Sequence, residues 1–419
     1  MRTVISPQFA GTADGSTAEA VLRACVHCGF CNATCPTYRL TGDELDGPRG
    51  RIYLIKQALE GGPVSRVTQH HLDRCLSCRA CETTCPSGVA YHRLYDVGRA
   101  VVAAKVKRPW RKRLARWAIR TVASNPVLFG SALALGRALR PLAPRALAGK
   151  IPRREGRSDW PAGGHTRRML VLQGCVQRSA APQFNTAMAR VFDRLGVSLE
   201  AAPQAGCCGA LHAHLDATAA ARRAARRNID AWLPMIEAGA EAILINASGC
   251  AVSVREYPDL LADDPAYVAK ARAVAALVRD PVEVLEAMDL AATRPPAAAR
   301  IAVHEPCTQQ HGLKLTGRVT GLLRRLGYEP QPVQDAHLCC GSAGAYSLLQ
   351  PQIAGALRAD KLAKLTAGEP AAIYTGNIGC WMHLAETSAV PVRHWIEAVE
   401  ATEPTSAAAH TKQQSSSRL

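Results

Sequence analysis

At 419 residues the chain has room for two or three domains, each with its own core, and its apolar content of 48% is ordinary. No run approaches the roughly 18 apolar residues of a spanning helix, and the first ten residues hold no signal-peptide core, so neither a membrane span nor export by the usual route is expected. The formal charge of +17 is concentrated: from Val97 to Arg154 there are fifteen Lys or Arg and no Asp or Glu, a single basic segment that argues only weakly for nucleic acid.

In chain order, residues 1–20 read as a polar, flexible N-terminus. Residues 21–100 then carry Cys25-Val-His-Cys28-Gly-Phe-Cys31-Asn-Ala-Thr-Cys35-Pro36 and, further on, Cys75-Leu-Ser-Cys78-Arg-Ala-Cys81-Glu-Thr-Thr-Cys85-Pro86. The spacing C-x2-C-x2-C-x3-C-P, written twice, is the two-cluster ferredoxin pattern, in which the last cysteine of each run ligates the other cluster. Cys25, Cys28, Cys31 and Cys85 are therefore expected around one [4Fe-4S] centre, and Cys75, Cys78, Cys81 and Cys35 around a second. Structural zinc also uses paired C-x2-C, but it needs four ligands and has no use for the third cysteine followed by Cys-Pro. Between the runs, Ile52, Ile55, Ala58 and Leu59 fall at helical spacing, and Gly61-Gly62 closes that helix. A short helix from about Ser65 to Arg74 leads into the second run.

Residues 101–167 form the basic segment, a helix broken at Pro109 and Pro126 and followed by a Pro/Gly-rich linker over 150–167. Leu114, Trp117, Ala118, Thr121 and Val122 share one face, with Arg111, Lys112, Arg116 and Arg120 largely opposite. That pattern suits an interfacial membrane helix. Composition favours instead a helix packed on its own protein or on an acidic partner. Val127 to Leu139 is short, carries Arg137, and reads as core.

From Arg168 strands and helices alternate. Short apolar strands are expected at Met169–Leu172, Ala242–Asn246, Arg300–His304 and Ala372–Thr375, with helices between them, one near 183–195. Such alternation predicts parallel sheets in two α/β domains, 168–292 and 300–400, linked near Thr293–Ala299. A Ser/Gln/Ala-rich tail, 401–419, is expected to be disordered. The two domains repeat: Cys175, Cys207, Cys208 and Cys250 answer Cys307, Cys339, Cys340 and Cys380, the first three pairs 132 residues apart and the fourth 130. Sixteen cysteines thus fall into four sets of four. In a reducing compartment this favours metal or redox chemistry over disulfides. Parallel strands bring ligands to the sheet edge at their carboxyl ends, so each later set is a possible metal or redox site.

The paired halves resemble the cysteine-rich CCG domains of heterodisulfide reductases, of anaerobic glycerol-3-phosphate dehydrogenase and of glycolate oxidase iron–sulfur subunits. Leu45-Asp-Gly-Pro-Arg-Gly-Arg-Ile-Tyr-Leu-Ile-Lys-Gln57, His337-Leu-Cys-Cys-Gly-Ser-Ala-Gly-Ala-Tyr346, Asn377-Ile-Gly-Cys380 and Val392-Arg-His-Trp-Ile-Glu397 are most similar to the last of these. The resemblance implies an α+β multidomain fold, a helical two-cluster ferredoxin-like domain followed by two α/β CCG domains. It also implies an electron-transfer subunit working beside flavoprotein subunits that oxidise glycolate to glyoxylate, with a quinone-type acceptor. A place in the cytoplasm, against the inner face of the membrane, goes with that role. The fullest CCG pattern closes on a fifth cysteine. Here those positions are Ser253 and His383, which argues against a noncubane cluster and disulfide-reducing chemistry and leaves His383 as a conceivable ligand. No G-x-G-x-x-G, P-loop or catalytic triad is present, so no flavin is expected in this chain and hydride chemistry falls to a partner. Two other readings remain: the same subunit of a lactate or glycerol-3-phosphate dehydrogenase, and a thiol–disulfide enzyme.

Overall fold

The structure is a computed structural model and describes residues 1–142, 144, 148–152, 159–290, 293–294, 300–401 and 403–404. Most of the expected 401–419 tail, most of the 293–299 link and part of the 150–167 linker lie outside the described residues.

Four helices build the N-terminal domain: Ala13–Ala24, Pro48–Leu59, Arg66–Asp73 and Tyr91–Lys105. Ser65 caps the third through a capping box, its hydroxyl accepting from Val67 and Thr68 N–H. Ala18, Leu22, Ile52, Ile55, Leu59, Leu72 and Leu94 meet in one core. The second and fourth helices cross at Gly98, where a Cβ would stand 2.5 Å from Ile55. Residues 13–20 depart from the expected flexible N-terminus. Thr12 caps their helix, Ala18 is fully buried, and the Met1 amine donates to the Leu22 and Cys25 carbonyls.

The basic segment forms helices Trp110–Ser124 and Pro126–Leu139. No residue of the first is buried, and of the second only Leu133 is. The expectation of a core helix over Val127–Leu139 therefore fails. Val127, Leu128, Leu135 and Leu139 lie on the surface, as do Trp110, Leu114 and Trp117. The first helix is tied down by an ion pair from Arg116 to Asp216, with Ala118, Thr121 and Val122 half-buried and Leu114 and Trp117 left exposed.

Two parallel sheets follow. Strands β1 (Arg167–Val171), β2 (Val197–Glu200), β3 (Ile243–Leu244) and β4 (Val278–Arg279) lie in the order β2-β1-β3-β4. A two-residue strand β5 (Thr293–Arg294) precedes the second sheet of β6 (Arg300–His304), β7 (Glu329–Pro330), β8 (Ala372–Thr375) and β9 (Val392–His394), in the order β7-β6-β8-β9. β10 (Glu403–Pro404) pairs antiparallel with β5. The central strands are continuous apolar runs because helices cover both faces. Trp232, Ile243 and Leu244 of the first half share one core with Ile301, Tyr374 and Trp395 of the second. At the seam His394 Nε2 donates to the Asn246 carbonyl at 2.8 Å, and Ser248 N–H donates to the Gly376 carbonyl at 3.1 Å.

Candidate metal and redox centres

Each ferredoxin-type run is wound by the same backbone device. His27 and Ser77 take left-handed φ of 60° and 53°, and Gly29 and Arg79 follow at 89° and 62°. Such turns curl three cysteines around one point, and outside glycine they are uncommon. Short helices Phe30–Ala33 and Ala80–Thr83 then carry Cys31 and Cys81, and Thr34 Oγ1 donates to the Ala80 carbonyl across the pair. Cys25, Cys28, Cys31 and Cys85 border one cavity with Pro86, and Cys81 reaches its wall. Burial, then the neighbouring Cys25, pushes the Cys31 thiol up to about 11, with Cys85 and Cys28 adding to it. Cys28 is exposed, so this first set opens at the surface.

The second set is interior. Burial raises Cys78 and Cys81 well above an ordinary thiol, and Cys35 and Cys75 add to the shift in both. Crowded thiols of this kind stay protonated until a cation replaces the protons, as expected of preformed metal-binding thiols. Ser77 N–H and the Tyr91 hydroxyl donate to Cys75 Sγ at 3.4 and 3.8 Å, and Thr37 Oγ1 lies 3.2 Å from Cys35 Sγ. Hydrogen bonds to ligand sulfur are a recognised control on cluster potential. Behind them Arg51, 1% exposed, bonds Thr37 Oγ1 and the His71 carbonyl. It is balanced by fully buried Asp46, which also takes His71 and Arg74.

In both later halves the cysteines sit beyond strand carboxyl ends: Cys175 after β1, Cys207-Cys208 after β2 and Cys250 after β3, and their counterparts after β6, β7 and β8. Sulfurs of Cys175 and Cys207 are 3.6 Å apart, those of Cys307 and Cys339 3.7 Å. The Cys207 and Cys250 thiols both act on Cys208, and the Cys339 and Cys380 thiols on Cys340, with the Cys340 and Cys380 sulfurs inside 4.8 Å of each other. Gly209 and Gly341 (φ 90° and 91°) donate N–H to Cys207 and Cys339 Sγ, 3.5 Å each, and pack on helix backbone where a Cβ would crowd. The sulfurs of each repeated set are therefore gathered at one sheet edge, with one pair in each half in direct contact.

The closing positions supply nothing to them. Ser253 Oγ points to the Cys208 carbonyl, and His383 Nε2 to the Ala354 carbonyl at 3.2 Å. His383, a conceivable ligand by sequence, is thereby turned with Nε2 toward main chain rather than toward the sulfurs. Sequence reasoning passed over His304 instead. It ends β6, where its ring nitrogen lies with Cys340 and Cys380 sulfur inside a 4.8 Å group. Burial holds it neutral, with a pKa down to about 3. A histidine at the end of the run Ile-Ala-Val-His304, where the first half has Leu172, was the available signal.

The interior ferredoxin-type set abuts the second half directly. Cys78 packs in the cluster of Leu76, Cys339, Tyr346 and Leu357, with Cys307 alongside.

Such an arrangement defines an iron–sulfur protein with a 4Fe-4S dicluster domain and two cysteine-rich domains. Residues 21–89 match the 4Fe-4S dicluster domain family, and 169–255 and 301–385 match the cysteine-rich domain family. The chain is 51% identical over 401 residues to the glycolate oxidase iron–sulfur subunit of Escherichia coli, covering 96% of this chain and 98% of that one. It belongs to the family of glycolate oxidase iron–sulfur subunits. Lactate utilization protein A of Bacillus velezensis is 29% identical over 203 residues, covering 47% of this chain and 82% of its own. A crystal structure of a hypothetical protein from Helicobacter pylori shares the fold at a TM-score of 0.54 and 9% identity, over 94% of this chain and 72% of that one.

Proposed function

We propose that this chain is the electron-transferring subunit of a glycolate-oxidising complex, receiving electrons from a partner flavoprotein and passing them to a quinone-type acceptor. The observation that carries this is the continuity of sulfur sites, from exposed Cys28, through half-buried Cys78, to Cys307 and Cys339 of the second half. Two [4Fe-4S] clusters, held by Cys25, Cys28, Cys31 and Cys85 and by Cys75, Cys78, Cys81 and Cys35, would supply one-electron chemistry along that line. The chain's own residues hold the sulfurs in place, exclude water from the interior set, and set its electrostatics through Arg51, Tyr91 and Ser77. Two further features support contact with the inner face of the membrane. Trp110, Leu114 and Trp117 form an exposed stripe, and Arg111, Lys112 and Arg113, exposed on the same helix, suit anionic lipid. No single helix among the described residues is long and apolar enough to cross a membrane.

Anaerobic purification from the native host tests the reading. A flavoprotein should accompany the chain, and glycolate should bleach its flavin and then reduce the iron–sulfur centres. A preparation whose centres are reduced by lactate and not by glycolate would move the chain to the lactate reading. Zinc in place of iron would end both.

A further inference from the structure

The two cysteine-rich halves match in their sulfurs and differ in what surrounds them. In the register that aligns Cys175 with Cys307, fully apolar Leu172 of the first half answers His304 of the second. The imidazole is 3% exposed, and its Nδ1 lies 2.9 Å from Thr375 Oγ1 on the adjoining strand, where the two residues are register partners. With Nδ1–H donating to that hydroxyl, Nε2 keeps its lone pair, the orientation second-shell partners give to metal-binding histidines.

A second difference lies behind the sulfurs. Gly209 packs on Ala221 and Ala224, and Gly341 packs on Ala354 and Leu357. In the register set by those packed pairs, Ala221 with Ala354 and Ala224 with Leu357, Lys361 takes the place of Asn228. Lys361 is 1% exposed, and its ammonium donates to the Asp335 and Ala336 carbonyls at 2.8 and 3.4 Å. Among the described residues no carboxylate forms an ion pair with it. A buried cation without a paired anion is costly unless negative charge forms nearby. Cys340 and Cys339 both act on it electrostatically, and the Asp360 carboxylate acts more weakly. Asn228, by contrast, is neutral and satisfied by the Cys207 carbonyl and Tyr257 hydroxyl.

We propose that the second half alone holds a five-donor iron–sulfur centre, ligated by Cys307, Cys339, Cys340, Cys380 and the imidazole of His304, with Lys361 as its buried counter-charge. Four thiolates and an imidazole exceed the four ligands that structural zinc takes, and the set adjoins Cys78. His304 does here what a closing cysteine at position 383 would have done. The inference deepens the electron-relay reading by naming its next station, but its ligand set can be tested without any substrate.

The test uses the full chain, purified anaerobically with its partner subunits, after growth on 14N- or 15N-histidine and reduction with dithionite. Pulsed electron-nuclear spectroscopy should find one centre coupled to a histidine nitrogen. His304→Leu, which installs the residue of the first half, should abolish that coupling and lose that centre's iron, leaving the ferredoxin-type signals unchanged. His304→Cys should retain the iron and lose the nitrogen coupling, which separates a ligand role from a folding role. Absence of any histidine coupling in the unaltered protein, its persistence in His304→Leu, or stoichiometric zinc released by Cys339→Ser would overturn the proposal. If the coupling is present but glycolate fails to reduce the complex, the relay reading falls and the ligand assignment stands.

Discussion

The hydroxyl of Tyr346 donates to the main-chain carbonyl of Arg74 at 3.0 Å. Arg74 immediately precedes Cys75, and Tyr346 follows the Cys339-Cys340 pair by six residues, so one hydrogen bond spans the two buried sulfur sites. Tyr346→Phe leaves the Arg74 carbonyl buried without this donor. It should cost about 1 kcal/mol of stability and slow the passage of electrons from the Cys75 cluster to the acceptor. Freeze-quench spectroscopy of that cluster during turnover measures this. An unchanged reoxidation rate would show that the contact serves docking alone.

The proposed crossing of fourth ligands rests on where the runs meet. Cys85 acts on Cys31, and Cys35 acts on Cys78 and Cys81. Cys85→Ser should alter the spectrum of the centre held by Cys25, Cys28 and Cys31, and Cys35→Ser that of the centre held by Cys75, Cys78 and Cys81. Loss of only the Cys75-run centre in the Cys85 variant would reverse the assignment.

Much of this was legible in advance because ligand spacing and strand periodicity are local. The α+β multidomain class, the four sets of cysteines and the strands at Met169, Ile243, Ile301 and Ala372 could be read from neighbours in sequence. Edge strands β4 and β7 could not, since two residues carry no period of their own and owe their pairing to the sheet. Arg51 and Lys361 escaped for another reason. A basic residue on a helix reads as solvated, and only the fold shows that its head is buried and feels the charge of the cysteines. His304 was hidden by position, since it closes a strand that otherwise reads as core. The exposed face over Val127–Leu139 reversed the expectation of a core helix, because composition cannot tell which partner an apolar stripe meets.

Asp216 gathers the docking of the basic segment onto one carboxylate. Arg99, Arg108 and Arg116 all pair with it, and Asp73 shares Arg108. Burial would raise its pKa, but the three arginines outweigh burial and hold it below the usual carboxylate range. Its stabilisation is therefore complete above the unfolded value of about 3.9 and is lost only as pH falls through the lower folded value. Asp216→Asn leaves three cations facing one another and should cost about 3 kcal/mol at neutral pH. In thermal melts the gap between the proteins should stay constant from pH 8 to 5. A gap that closes within that range would assign the effect to another group.

The surface helices carry the last test. Trp110, Leu114 and Trp117 recur at three- and four-residue spacing on the outer side of a helix whose inner side is fixed by Arg116. The next helix, bent from it by 98°, adds Val127, Leu128, Leu135 and Leu139 to the exposed apolar surface. Arg116 already has a partner, so the cations free to meet lipid are better represented by Arg111, Lys112 and Arg113. Changing these three to Gln should weaken flotation with anionic vesicles, most sharply at moderate salt, where exposed charges are screened beyond about 8–10 Å. Trp110→Ser with Trp117→Ser should weaken it at every salt concentration, because apolar insertion is not screened. Binding that responds to the arginines and not to the tryptophans would identify an acidic partner protein as the occupant of this face. Vesicle binding unchanged in both variants would mean that membrane contact, if it occurs in the complex, is made elsewhere.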